Sequence, residues 1–425
     1  MLLELSPAKY PRHFKNFMQN NSSNFFKRAQ QVIPGGIYGH VAPAAGLPDC
    51  FPHYCQEAAG HTFTDVDGKE WLDFMCGFGA ILHGYSNPEI EEAASKQRDR
   101  GAVFNQPSPV MVELAEKLVS RIEFADWAVF AKNGSDLTTW AIRVARQYTQ
   151  RPLIVKAKGA YHGVDAWCDP GMGGRIPSDR QDILEFDWND ADQLKSLFKR
   201  YGDQIAGVIL TPFHHPAFAQ SVMPLSGFWE EVSSQCQAYG ALLVLDDVRA
   251  GGRLHDQGSH EFFNFAPDLA VYSKALGNGY AISACVGKND FKASSSEVFL
   301  TGSCWNDAVA MTAASVSLSI AERDGVAGQV MNKGSYFCSK LTGIAQEYNI
   351  PLSMTGPASM PYPIIEQDEN LFKIQQFCRF CAEEGLYFHP HHNWFISNSH
   401  TIESLDLALQ KASEALAKLS RISGS

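Results

Sequence analysis

Five apolar runs constrain this chain more than any other feature: WAVFA (127–131), PLIVKA (152–157), AGVILTPF (206–213), ALLVLDDV (241–248) and LAVYS (269–273). None of them alternates between apolar and polar residues, which is the pattern of a strand covered on both faces. Helical segments separate them. Between about residues 90 and 310 the sequence therefore predicts an α/β domain with an open, mainly parallel sheet. Such a sheet gathers its ligands in the crevice at the carboxyl ends of its strands, so the residues that follow each run carry the functional signal.

The flanking segments read differently. The first 35 residues or so are polar and irregular, with a helical stretch in NNSSNFFKRAQQVI that Pro34-Gly35-Gly36 breaks. HTFTDVDGKEWLDF predicts a hairpin turning at Asp67-Gly68. Asp65 and Asp67 do not make a calcium loop, because the glycine is misplaced and no Glu closes a loop of the required length. The last hundred residues or so combine helices with short strands and end in the helix SLDLALQKASEALAKL, as a smaller α+β lobe. The expected division is 1–85 (N-terminal segment and a hairpin that joins the small lobe), 86–315 (large domain) and 316–425 (small domain).

Composition excludes several functions. The chain is 45% hydrophobic and 19% charged, with a net charge of −11. An acidic surface argues against nucleic acid as a partner. No apolar run is long enough for a membrane span. The N-terminus lacks the features of a secretory signal, which predicts a cytoplasmic protein whose ten cysteines are reduced thiols. Cys378 and Cys381 form a lone CxxC without a second pair, so no metal is expected.

Four features follow four of these five runs. Asn133-Gly134-Ser135-Asp136 opens a helix with one apolar face; this suits either simple capping or a phosphate held on free N–H groups at the positive end of the helix dipole. Tyr161 and His162 leave the second run, as core aromatics or as a surface for stacking on a flat ligand. Asp246 and Asp247 end the fourth run, where a carboxylate pairs with a protonated ring nitrogen or, alternatively, two hold a metal. Lys274 ends the fifth run, beside Gly277-Asn278-Gly279. A lysine in a desolvated crevice has a lowered pKa and can act as an amine nucleophile. A phosphate cradle, an aromatic, a carboxylate and a lysine together are what pyridoxal 5′-phosphate (PLP) requires.

In order and spacing these motifs resemble the class III, fold-type I PLP-dependent aminotransferases, and most of all their glutamate-1-semialdehyde aminomutase-like branch. The resemblance runs from IPGGIYG to SNSHTIESLD and includes DVDGKEWLDF, HGYSNPEI, KNGSD, AYHG, LDDV, YSKALGNG and AVAMTAA. It implies a large domain with a mainly parallel seven-stranded sheet and a small lobe built from the N- and C-terminal segments. It further implies Lys274 as the Schiff-base lysine and proton carrier, and Asp246 as the partner of the pyridine nitrogen. Val248 would pack on the ring, Tyr161 would cover its other face, and Gly134 and Ser135 would cradle the phosphate. Similar enzymes are homodimers in which the neighbouring subunit adds a phosphate-binding Thr; Ser303 holds that position here.

Departures concern the substrate side. Thr211-Pro212 replaces a Glu-Pro, Ala42 stands where the aminomutase has a carboxylate-binding Arg, and His392 replaces a Glu. Loss of that clamp argues against the aminomutase reaction. His40, Phe78, His214, His215 and His392 are the candidate substrate contacts, with His389 and His391 close by in sequence. The expected activity is transfer of an amino group between an amine or amino acid and a keto or aldehyde acceptor. The alternatives are an aminomutase, a racemase or a non-catalytic binding protein on the same fold.

Overall fold

In the computed structural model, which describes residues 21–38, 47–48, 50–171, 173–216 and 219–423, the described part opens with a helix, Asn21–Val32, followed by a small antiparallel meander. Its strands are β1 (Cys55–Ala59), β2 (Thr62–Asp65) and β3 (Glu70–Asp73). The predicted hairpin is β2–β3, with Phe63 opposite Trp71 and their rings stacked at 6.1 Å. Asp65 shapes its turn: Oδ1 accepts from the Asp67 and Lys69 amides, and Oδ2 from the Trp71 indole N–H. That carboxylate is fully engaged by the protein itself.

Seven strands form the large sheet: β4 (Trp127–Ala131), β5 (Leu153–Ala157), β6 (Ile183–Phe186), β7 (Ile205–Leu210), β8 (Leu242–Asp246), β9 (Leu269–Tyr272) and β10 (Ser283–Gly287). Their order is β4-β10-β9-β8-β7-β5-β6, and only β10 runs against its neighbours. All five apolar runs became strands. Every residue of β5, β7, β8 and β9 is buried, as the missing alternation requires. β6 and β10 gave no comparable signal. β10 is built of small residues because space is short: a Cβ on Gly287 would lie 2.4 Å from the Trp127 ring and 2.5 Å from Leu269.

Two further strands, β11 (Leu352–Thr355) and β12 (Tyr362–Ile365), pair with each other, and β13 (Leu386–Tyr387) joins β3 in parallel. The N-terminal hairpin thus completes its sheet with a strand more than 300 residues away. Beneath it, Phe74, Phe337, Phe388 and Trp394 share one apolar core, with Phe388 stacked on Trp394 at 4.1 Å.

The topology places the motifs. β4, β5, β7, β8 and β9 all point the same way, so the segments after them emerge along one edge of the sheet. Asp246 of β8 is register-paired with Val271 of β9, which brings the Asp246 carboxylate and Lys274 to neighbouring strand ends.

Candidate active site

Lys274 sits just past β9 in a left-handed backbone conformation, φ 50°, which strains a non-glycine residue. The following turn is locked by Asn278. Its Oδ1 accepts from the Leu82 and His83 amides, and its Nδ2 donates to the Gly84 carbonyl. The Lys274 ammonium donates to the Phe78 carbonyl at 3.0 Å. Burial, followed by the nearby Arg249 charge, pushes the lysine pKa from 10.5 down to about 7. A substantial neutral fraction at neutral pH is the condition for a nucleophilic amine.

Phe78 belongs to a strained segment. Cys76, Gly77, Phe78 and Gly79 all have positive φ. Several contacts hold them there. The buried Asp73 carboxylate accepts from the Met75 and Cys76 amides and from the Tyr85 hydroxyl. Arg253, fully buried, donates to the carbonyls of Gly79, Ile81 and Ile396. The result aims the Phe78 carbonyl at Lys274 and sets the Phe78 ring edge-on to His392, 5.4 Å between centroids. The ring also borders a cavity of about 210 Å³ whose lining includes Tyr54, Phe63, Met75 and Tyr85.

The two aspartates of LDDV face different partners, as strand alternation requires. Asp246 Oδ2 meets His162 Nδ1 at 2.7 Å, and its Oδ1 accepts from the Val248 amide. Asp247 is fully buried and held by the Ser259 amide and hydroxyl, with burial pushing its pKa up to about 7. The pair does not converge on one point, and a shared metal between them has no geometric basis. His162 is stacked on Trp167, and its Nε2 has no hydrogen-bond partner among the described residues. Its contact with Asp246 was not legible in sequence, because it joins residues 84 apart, one in the loop after β5 and one at the end of β8.

The helix Gly134–Thr149 opens at the same edge. Asp136 accepts from the Asn133 amide, and the first-turn N–H groups of Gly134 and Ser135 have no partner within the helix by construction. Approach is close here. A Cβ on Gly134 would lie 2.7 Å from Val248, and one on Gly163 would lie 2.6 Å from the Ser135 hydroxyl. Tyr161 is half-buried, and burial raises its phenol pKa.

The histidines separate. His215 is buried edge-on to Phe213, 5.2 Å away, and burial with the Arg249 charge holds its pKa well below the usual value. His392 is held low in the same way. His214 is stacked on Trp188 and lowered to about 4, chiefly by burial. All three are neutral at neutral pH. Thr211 turns its hydroxyl to the Phe213 carbonyl. Ser303 is exposed on this chain. His40 and Ala42 lie outside the described residues. Sequence reading passed over Arg249 and Asn393, joined by a 2.8 Å hydrogen bond beside His392.

A lysine held near neutrality, a carboxylate fixed by a histidine, a helix N-terminus and glycines that permit close approach suit a phosphorylated heterocyclic aldehyde. With the seven-stranded sheet they define a fold-type I PLP enzyme. The sequence pattern of aminotransferase class-III matches residues 48–422. Aminopentol aminotransferase of Sphingopyxis macrogoltabida is 38% identical over 93% of each chain. 3-Aminobutyryl-CoA aminotransferase of Cloacimonas acidaminovorans is 34% identical over 94% of this chain and 98% of that one. The solved FumI protein of Sphingopyxis sp. MTA144, in its PLP internal aldimine form, superposes with a TM-score of 0.93 at 37% identity, covering 95% of this chain and 97% of that one. The chain belongs to the class-III aminotransferases and is a PLP-dependent aminotransferase. No helix of the described residues is long and apolar enough to cross a membrane.

Proposed function

We propose that the enzyme moves an amino group between an amine or amino acid and a keto or aldehyde acceptor, with Lys274 as the residue that holds PLP covalently and carries the proton. The observation that carries this reading is the Lys274 amine, set at a strand end beside the Asp246 carboxylate and lowered to about pKa 7. When bound, PLP acts as an electron sink for the bond broken next to the amino nitrogen. Asp246, oriented by His162, holds a proton on the ring nitrogen. Val248 and Tyr161 flank the ring, and the Gly134–Ser135 amides take the phosphate, joined by Ser303 from a second subunit of a homodimer. Lys274 would take the proton from the carbon that bears the amino group and return it across the amino nitrogen, a 1,3 transfer, and the Phe78 carbonyl accepts from the resulting ammonium. His215 and His392, being neutral, bind substrate as hydrogen-bonding groups without opposing charge. Relatives named as aminotransferases of aminopentol and of 3-aminobutyryl-CoA support transfer of an amino group over isomerisation.

Borohydride reduction followed by peptide mapping tests the assignment. The pyridoxyl group is expected on the peptide containing Lys274; recovery on another lysine overturns it. Incubation with a donor alone separates transfer from isomerisation. Transfer yields up to one equivalent of carbonyl product per site, whereas an aminomutase yields isomerised product continuously. A third expectation concerns the close approach at Gly163. There φ is 138° and a Cβ would overlap the Ser135 hydroxyl, so Gly163→Ala should cost about 1–3 kcal/mol of stability and weaken PLP retention. Thermal melting and cofactor absorbance after dialysis measure both.

A further inference from the structure

Among the described residues Arg249 is a cation that meets no carboxylate. It follows the cofactor-facing segment Asp246–Val248, and its Nη1 donates to Asn393 Oδ1 at 2.8 Å. Asn393 is 2% exposed and donates in turn to the Trp394 carbonyl, so the amide that receives Arg249 is fixed. Among the described residues no carboxylate lies within ion-pair distance of the Arg249 guanidinium. Asp246 is its nearest acidic influence, and that carboxylate is engaged by His162 and the Val248 amide. Arg253, four residues on, offers a contrast: three backbone carbonyls receive its guanidinium, a purely structural solution. Arg249 has five donors, and a single neutral amide accepts from it among the described residues.

Among the described residues the surroundings supply no other neutralising charge. Thr211, just past β7, keeps its hydroxyl on the Phe213 carbonyl, and the ring groups that feel the Arg249 charge, His215, His392 and Tyr161, are neutral. His392 is edge-on to Phe78, whose carbonyl touches Lys274. Arg249 is thus on the substrate side of the lysine, in a crevice where burial strengthens its attraction for an anion. A planar guanidinium matches a carboxylate in a two-point contact.

We propose that Arg249, positioned by Asn393, binds a carboxylate on the amino-acid or keto-acid partner of the reaction. This rests on the reading of Lys274 as the cofactor lysine. The carboxylate belongs either to the donor or to the acceptor, and the test separates the two.

Arg249→Met and Arg249→Lys holoenzymes are assayed with alanine against isopropylamine as donors, and with pyruvate against acetone as acceptors. In each pair a methyl group replaces the carboxylate. The kcat/KM preference for the carboxylate member should fall about 10- to 100-fold in Arg249→Met and be partly restored in Arg249→Lys. The arm in which it falls identifies the substrate concerned. An unchanged preference in both arms, through equal loss or no loss, overturns the proposal. Thermal melting supplies a readout without turnover. Propionate, and not propionamide, should raise the wild-type melting temperature, and the effect should vanish in Arg249→Met. A wild-type protein indifferent to propionate overturns the proposal as well. Borohydride trapping away from Lys274 would instead overturn the site reading, a failure distinct from either.

Discussion

Lys274→Ala is expected to lower turnover by at least about 10³-fold while leaving the fold intact. Among the described residues the lysine side chain has no hydrogen-bond partner beyond the Phe78 carbonyl, so its removal breaks little structure. Removal should even stabilise the cofactor-free protein. The Lys274 pKa is 10.5 when unfolded and about 7 when folded, so folding disfavours its charged form. Between these values the unfolded chain binds a proton that the folded chain does not, and stability rises with pH. The penalty is full below about pH 7 and is relieved as pH approaches 10.5. Apo Lys274→Ala should therefore melt higher than apo wild type at pH 6, with the difference shrinking above pH 9. The same shift predicts that capture of added PLP by the wild type accelerates through pH 7 rather than near pH 10. Stopped-flow absorbance measures that profile. A midpoint near 10, or turnover surviving in Lys274→Ala, would sink the assignment.

Asp246→Asn should give the second-largest loss, about 10²- to 10³-fold in kcat, with PLP still bound. The substitution keeps the shape and an oxygen for His162 but removes the negative charge that would hold a proton on the ring nitrogen. Asp246→Ala goes further. It leaves His162 Nδ1 buried without its partner, which adds about 1–3 kcal/mol of destabilisation. Denaturant melts distinguish the variants: both lose activity, and only the alanine variant loses clear stability. If Asp246→Asn turned over at the wild-type rate, the carboxylate would have no electronic role.

Much of this was legible in the chain. Fully apolar runs reveal strands buried on both faces, and the residues just after them are bound to meet at one edge of a parallel sheet. Lys274, Asp246, Tyr161 and Gly134 could be singled out on that basis. β10 gave no such signal, because its small residues answer to the bulk of Trp127 and Leu269 on neighbouring strands. The left-handed run from Cys76 to Gly79 was equally hidden. Only Gly77 and Gly79 hint at it, and one of the groups that hold it, Arg253, is contributed from 174 positions beyond Gly79.

The sequence by itself determined the periodicity, the strand ends and the order of the reactive groups, since these depend on local pattern and on the handed rules that govern parallel sheets. Charge state and pairing were decided by tertiary structure. Whether Lys274 is neutral, which aspartate meets His162 and which arginine is met by a single side-chain amide among the described residues all depend on burial and on contacts between distant segments. Electrostatic energy in a protein depends on distance and desolvation, and a linear sequence specifies neither.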